Sequence, residues 1–252
     1  MSLALSLVFG SLVGLSLGLF GSGGSVLAVP ILVYGLGYSP KSAVAMSLAI
    51  VGLSALSGVI RQWRRRSLCP KAALFFSASG IIGTLGGTWL AMKVSGSFQL
   101  ILFALLMITT SITMFFKKEA DVELGRDECQ MNSGLAGTLG VGVGFLTGLL
   151  GVGGGFLIVP ALNSLGKLKL RLAMGTSLIV ISVNSAVGFL GYLTQVEFDW
   201  KTLLSFSLSA SLASLLGVSL SHRLHVEKLR KFFAGFIFIL GIWVFIKQVY
   251  LT

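Results

Sequence analysis

The sequence predicts an all-α polytopic membrane protein built from two inverted repeats. Three observations carry that reading: apolarity, a motif recurring at a constant offset, and a reversal of loop charge between the copies. Of 252 residues, 55% are hydrophobic and only 11% charged, with a mean hydropathy of +0.96. A soluble domain carries roughly 25% charged residues, so water cannot be the solvent for most of this surface. Apolar runs near the ~20 residues a helix needs to cross a bilayer recur along the whole chain. The formal net charge of +11 lies in loops beside those runs, which fits positive-inside orientation rather than a nucleic-acid face. The expected partners are therefore the lipid bilayer and a small solute, with no nucleic acid; the oligomeric state stays open.

The stretch GLFGSGGSVLAVPIL from Gly18 matches GLLGVGGGFLIVPAL from Gly148, and the offset of 130 continues without a gap. Ala43, Ser47, Leu48 and Gly58 fall on Ala173, Ser177, Leu178 and Gly188, and Ser77, Gly87 and Leu90 on Ser207, Gly217 and Leu220. Upstream, Gly10 and Gly14 fall on Gly140 and Gly144, and Pro30 pairs with Pro160. Low-complexity coincidence does not produce a single register of this length.

Each copy reads as five helical segments. In the first, residues 1–116, Leu3–Phe20 and 26–36 flank a glycine cluster, followed by runs at 42–60, 71–92 and 98–116. The opening run lacks a basic leader and leads straight into the repeated motif, so it is read as a retained helix rather than a cleaved signal. In the second copy, residues 133–252, the runs are 133–150, 156–165, 172–194, 201–221 and 229–249. Between them, 117–132 holds five of the eight acidic residues and reads as a linker. The second segments, at ~1.5 Å per residue, are too short for a core about 30 Å thick. Each is expected to pair with the first segment as a glycine-tipped helical hairpin, followed by three transmembrane helices.

Equivalent loops differ in charge. After the third segment, copy one has Arg61, Arg64, Arg65, Arg66 and Lys71, whereas copy two has Glu197, Asp199 and only Lys201. The bias reverses elsewhere. Lys41 stands against Lys167, Lys169 and Arg171, and Lys93 against Arg223, Lys228, Arg230 and Lys231. An odd number of segments per copy likewise turns the second copy over. The expectation is a multi-pass protein of the cell membrane with both termini outside and linker 117–132 cytoplasmic.

The glycine clusters are the candidate substrate site. Non-helical backbone at membrane depth is tolerated only inside protein or along a cavity, and short, glycine-interrupted segments at matching places in two halves mark a transporter binding site. Gly21, Gly23 and Gly24, with Gly151, Gly153, Gly154 and Gly155, permit positive φ and close ligand approach. Each cluster opens a helix, whose free N–H groups favour a small anion. Ser22, Ser25, Ser47, Thr176 and Ser177 are candidate donors, and Ser54 with Asn184 marks a possible pathway two turns along. Lys41 and Arg171, each just ahead of a third segment, are candidates for drawing anions to opposite mouths, with interfacial snorkelling as the plainer reading. For Gly10, Gly14, Gly18, Gly140, Gly144 and Gly148, close helix packing is the simpler explanation. Any hydroxyl taken singly is most simply bonded to backbone.

All eight carboxylates fall in loops, which argues against an intramembrane proton relay or cation site. No cofactor or metal site is expected. Cys69 and Cys129 lack ligand spacing and, on the cytoplasmic side, are expected to be reduced. An intramembrane serine protease would need Ser22 or Ser25 beside His222 or His225, and those histidines lie in a charged loop, so no enzyme is expected. GSGGSV lacks the lysine of a P-loop. A passive anion channel is the nearer rival to a carrier.

The tips GSGGS and GVGGG, each running on to a VP dipeptide, with AMGTSL from Ala173, resemble the TauE/SafE family of membrane transporters over essentially the whole chain. That resemblance implies transport of small sulfur-containing anions such as sulfite or organosulfonates. The first copy departs from the pattern, with Ser25 in place of Gly155 and AMSL in place of AMGTSL, and that departure bears on substrate identity.

Overall fold

The structure, a computed structural model, describes residues 3–20, 23–64, 68–116, 133–166, 168–220 and 226–251. Gly21, Ser22, linker 117–132, Cys129, Lys167, His222, Arg223 and His225 lie outside the described residues.

Every element described is helical. The first copy contains α1 (Leu3–Phe20), a 3-10 turn (Gly23–Leu27), α2 (Ala28–Pro30), a π turn (Ile31–Gly35), α3 (Pro40–Arg64), α4 (Pro70–Lys93) and α5 (Gly96–Phe116). The second contains α6 (Ser133–Leu150), α7 (Gly155–Pro160), a π turn (Ala161–Leu165), α8 (Leu170–Tyr192), α9 (Trp200–Leu220) and α10 (Val226–Leu251). Both π turns begin immediately after a proline. Pro30 and Pro160 have no N–H for the preceding turn and their rings crowd its carbonyl, so the helix widens there. Pro40 and Pro70 instead stand at helix starts, where a missing N–H costs nothing.

Among the described residues six helices, α3 to α5 and α8 to α10, are long and apolar enough to cross a membrane. Their packing inverts the pattern of a water-soluble helix. On α9, Leu204, Leu208, Leu212, Leu216 and Leu220 form an exposed row at every fourth position, while Ala210, Ala213, Ser214 and Gly217 are buried. On α4, Leu74, Ile82, Leu85 and Trp89 are exposed, while Gly80, Gly83, Thr84 and Gly87 are buried. Lipid solvates a leucine as well as protein does, so burial is driven by van der Waals contact, and small residues let backbones approach.

Those small faces receive the hairpins. Helix α1 lies on α9 and α6 on α4. A Cβ at Gly14 would collide with the backbone of Ala210, and one at Gly144 with the backbone of Gly80. Gly10 sits likewise against Phe206 and Ser209, and Gly140 against Phe76 and Ser79. Each contact recurs when the offset of 130 is added to one partner and subtracted from the other. At the centre α3 crosses α8, with Gly58 against Leu178, Gly52 against Ser185, and Leu48 against Gly188, so one numbering rises as the other falls. Helices α5 and α10 cross in the same sense: Ser111 Oγ donates to the Ala234 carbonyl, while Gly241 packs on Met107 and Ile108.

Outside the spans, one polar clamp ties the copies together. Asp199 Oδ2 accepts from Thr202 Oγ1 at 2.7 Å and from Tyr38 Oη at 2.8 Å, and its Oδ1 accepts from the Lys201 and Thr202 N–H groups that open α9. These donors, the Thr202 hydroxyl first, hold the carboxyl below its ordinary value of 3.8. Cys69 is disulfide-bonded rather than the free thiol expected at that position.

Two predictions follow from the packing and the clamp. Gly142 has nothing within 4 Å of an added Cβ, so Gly142→Ala should raise thermal stability in detergent by about 0.5–1 kcal/mol. Gly144→Ala, two positions on, should lower it by roughly 1–3 kcal/mol through overpacking. Because the folded pKa of Asp199 is depressed, its stabilisation is complete above the ordinary value and is lost as pH falls through the folded one. The difference in melting temperature between the wild type and Asp199→Asn should therefore be constant from pH 7 to about 5 and shrink below about 4.

Candidate functional site

The second hairpin tip is a turn of three left-handed glycines, with φ of 72° at Gly151, 66° at Gly153 and 64° at Gly154. This conformation is costly for any residue with a Cβ. The tip sits between the two crossing helices. Gly151 lies against Val44 of α3, Gly153 between Val51 of α3 and Ile181 and Ser185 of α8, and Gly154 against Thr147 of its own α6.

A helix end leaves four carbonyls without partners. At the end of α6 three of them, and the carbonyl of Gly151 just beyond, are met by donors around the tip. The Thr147 carbonyl accepts from the Gly151 N–H at 2.9 Å. The Gly148 carbonyl accepts from Tyr192 Oη at 3.0 Å, the Leu149 carbonyl from Gln99 Nε2 at 3.2 Å, and the Gly151 carbonyl from Ser47 Oγ at 2.5 Å. Tyr192, Gln99 and Ser47 come from α8, α5 and α3 and are all buried. The N–H side is different: among the described residues, no acceptor meets the N–H groups of Gly153, Gly154 or Gly155. The negative end of the turn is thus met by donors, while its positive end meets no acceptor among the described residues.

The described part of the first tip, from Gly23 onward, is built differently. Gly23 and Gly24 belong to a 3-10 turn rather than to a left-handed one. Gly24 is required for proximity instead, since a Cβ would collide with the backbone of Ser16 and Leu17 on α1. The 3-10 turn touches α7, so the starts of the two short segments lie side by side.

The other candidates fall around this meeting point. Ser25, Ser47, Ser54, Thr176, Ser177 and Asn184 are wholly buried. Ser47 and Ser177 each reach back one turn, to the Val44 and Met174 carbonyls. Ser54 is bonded to the Ile50 carbonyl, and Thr176 Oγ1 accepts from the Cys69 N–H. Asn184 alone among these has no partner for either side-chain atom. Lys41 Nζ donates to the Met92 carbonyl at 3.0 Å, which fastens the start of α3 to the end of α4. Arg171 lies in the first turn of α8.

Reading the sequence passed over Tyr192, Gln99, Thr84 and Ser185. The offset comparison weighted matched polar positions, and these lack polar matches or match with a different residue: Ser185 stands opposite Ala55, Gln99 opposite Leu229, Tyr192 opposite Gln62 and Thr84 opposite Ser214. A search for buried polar residues without a symmetry mate would have found the first two.

The described residues contain no group of three or more His, Cys, Asp or Glu able to hold a metal ion. The arrangement offers main-chain donors in a low-dielectric setting, with no ionised side chain among the groups described around the tip.

Residues 6–244 match the family described as Sulfite exporter TauE/SafE. A probable membrane transporter protein of Xylella fastidiosa (strain 9a5c) is 30% identical over 233 residues, covering 90% of this chain and 88% of its own length. Probable membrane transporter proteins of Bacillus subtilis (strain 168) and Methanocaldococcus jannaschii are 22% and 24% identical, over 90% and 96% of this chain and 91% and 94% of theirs. No solved structure matches the chain at a significant level. With six apolar helices long enough to span a membrane and a family match across nearly its whole length, the chain belongs to the sulfite exporter TauE/SafE family of membrane transporters.

Proposed function

We propose that this protein is a secondary transporter that carries a small anion, one containing sulfur such as sulfite or an organosulfonate, by alternating access between two inverted halves. The observation that carries this reading is the second tip, whose carbonyls are bonded by Ser47, Gln99 and Tyr192 while its glycine N–H groups point at no acceptor among the described residues. Oriented N–H dipoles in a site shielded from water attract an oxyanion. A receptor without a fixed positive charge also lets that anion leave.

Inversion is supported by the opposite numbering of α3 against α8 and α5 against α10, and by the reciprocal seating of each hairpin on the fourth segment of the other copy. A two-fold axis in the membrane plane produces both features. On this reading, Tyr38 and Asp199 face the outside together, and the basic residues from Arg61 to Lys71 face the cytoplasm with linker 117–132. The substrate would be held by Gly153, Gly154 and Gly155 from one side and by Gly21, Ser22, Gly23, Gly24 and Ser25 from the other. Ser47, Gly151, Thr176 and Ser177 would hold the backbone that receives it, and Ser54, Asn184, Lys41 and Arg171 would lie along the route.

Uptake of labelled sulfite into proteoliposomes tests the proposal. Saturable uptake is expected, with competition from organosulfonates, and Gly153→Leu should lower it about a hundredfold while the variant stays monodisperse in detergent. Flux that does not saturate would make the protein a passive anion channel. No anion flux from a folded wild type would overturn the substrate assignment.

A further inference from the structure

On α8 and the face of α4 packed against it, four polar side-chain atoms are buried with no hydrogen-bond partner among the described residues: Asn184 Nδ2 and Oδ1, Ser185 Oγ and Thr84 Oγ1. All three residues have zero exposure. Ser185 Oγ is 3.1 Å from where a Cβ on Gly153 would stand, and Asn184 Oδ1 is 2.8 Å from the same point on Gly80. Thr84 follows Gly80 by one helical turn, and its methyl group packs on Gly188, one turn beyond Asn184. Asn184 and Thr84 therefore share the crossing of α4 with α8, while Ser185, the next residue on α8, meets Gly52 of α3 and Gly153 of the tip.

Packing alone does not account for them. Across the repeat, Asn184 stands opposite Ser54, Ser185 opposite Ala55, and Gly80 opposite Ala210. Ser54 satisfies itself on the Ile50 carbonyl, and alanines carry no polar group. Thr84 stands opposite Ser214, whose hydroxyl is likewise unpartnered, so the asymmetry lies in Asn184 and Ser185. A buried amide left unmade costs stability at both its ends, so an unpaired amide and hydroxyl on one side of a pseudosymmetric contact point to a ligand.

We propose that Asn184, Ser185 and Thr84 form a specificity subsite that selects monoanions carrying their own O–H or N–H. This rests on the anion-carrier reading above and extends it. The glycine N–H groups donate and so bind only an acceptor oxygen, whereas Asn184 Oδ1 requires a donor from the substrate. Hydrogen sulfite and 2-hydroxyethanesulfonate satisfy both needs. A fully ionised dianion such as sulfate brings no donor, and no cation among the described groups balances its second charge. Sites built to bond a hydroxyl strongly reject the analogue that lacks it, because their own polar groups are then left unpaired.

The test compares 2-hydroxyethanesulfonate with ethanesulfonate as competitors of labelled sulfite uptake into proteoliposomes near pH 6. The wild type should prefer the hydroxylated competitor at least about tenfold, and Asn184→Leu and Ser185→Ala should each erase that preference. Ser207→Ala, a buried unpartnered hydroxyl away from the tip, should leave it unchanged. Equal inhibition by both competitors in the wild type, or a preference retained in Asn184→Leu and Ser185→Ala, would overturn the subsite while saturable sulfite uptake left the carrier standing. Absence of any anion uptake by folded wild type would remove both.

Discussion

The structure depends on backbone-to-backbone contact between each hairpin and a helix of the other copy. Gly14 against Ala210 and Gly144 against Gly80 leave no space for even a methyl group. In lipid there is no hydrophobic gain from hiding a leucine, so stability comes from how many atoms can touch. Glycine faces maximise that contact, and large side chains are turned outward, as the leucine row of α9 shows. Because each hairpin is held by the opposite copy, the position of each tip is set by the other half of the chain.

Fixing the hairpins creates a polar problem that the site then uses. Ending α6 inside the protein strands its carbonyls where water does not reach. Ser47, Gln99 and Tyr192, drawn from three different helices, supply the missing donors. The same turn that strands carbonyls on one side presents glycine N–H groups on the other. The proposed anion site would thus be a by-product of completing a helix end, without a charged side chain in the membrane. The clamp of Tyr38 and Thr202 on Asp199 lies away from this centre and ties the loop before α3 to the start of α9.

Much of this was legible in the sequence. The span of every long helix followed from apolar runs, and the pairing of Gly10, Gly14 and Gly18 with packing rather than ligand contact followed from their spacing of four. The difference between the tips was not. Both carry glycine clusters, yet only Gly151, Gly153 and Gly154 adopt positive φ among the described glycines of the two tips. Composition permits a left-handed turn without requiring one; the choice depends on what the neighbouring helices leave room for. The donors on the α6 carbonyls were equally hidden, because Gln99 and Tyr192 reach them from distant parts of the chain. Matched positions drew attention to Ser47 and Ser177, whereas an unmatched one, Ser185, faces Gly153.

The proposed binding of a small oxyanion at the second tip can be observed directly. Hydrogen selenite is a heavier analogue of hydrogen sulfite, and its selenium can be located by anomalous scattering in crystals of the protein. A single strong peak within hydrogen-bonding reach of the Gly153 to Gly155 N–H groups is the predicted result. A selenium peak confined to the basic cytoplasmic loops, with none between α3, α8 and the tip, would contradict it.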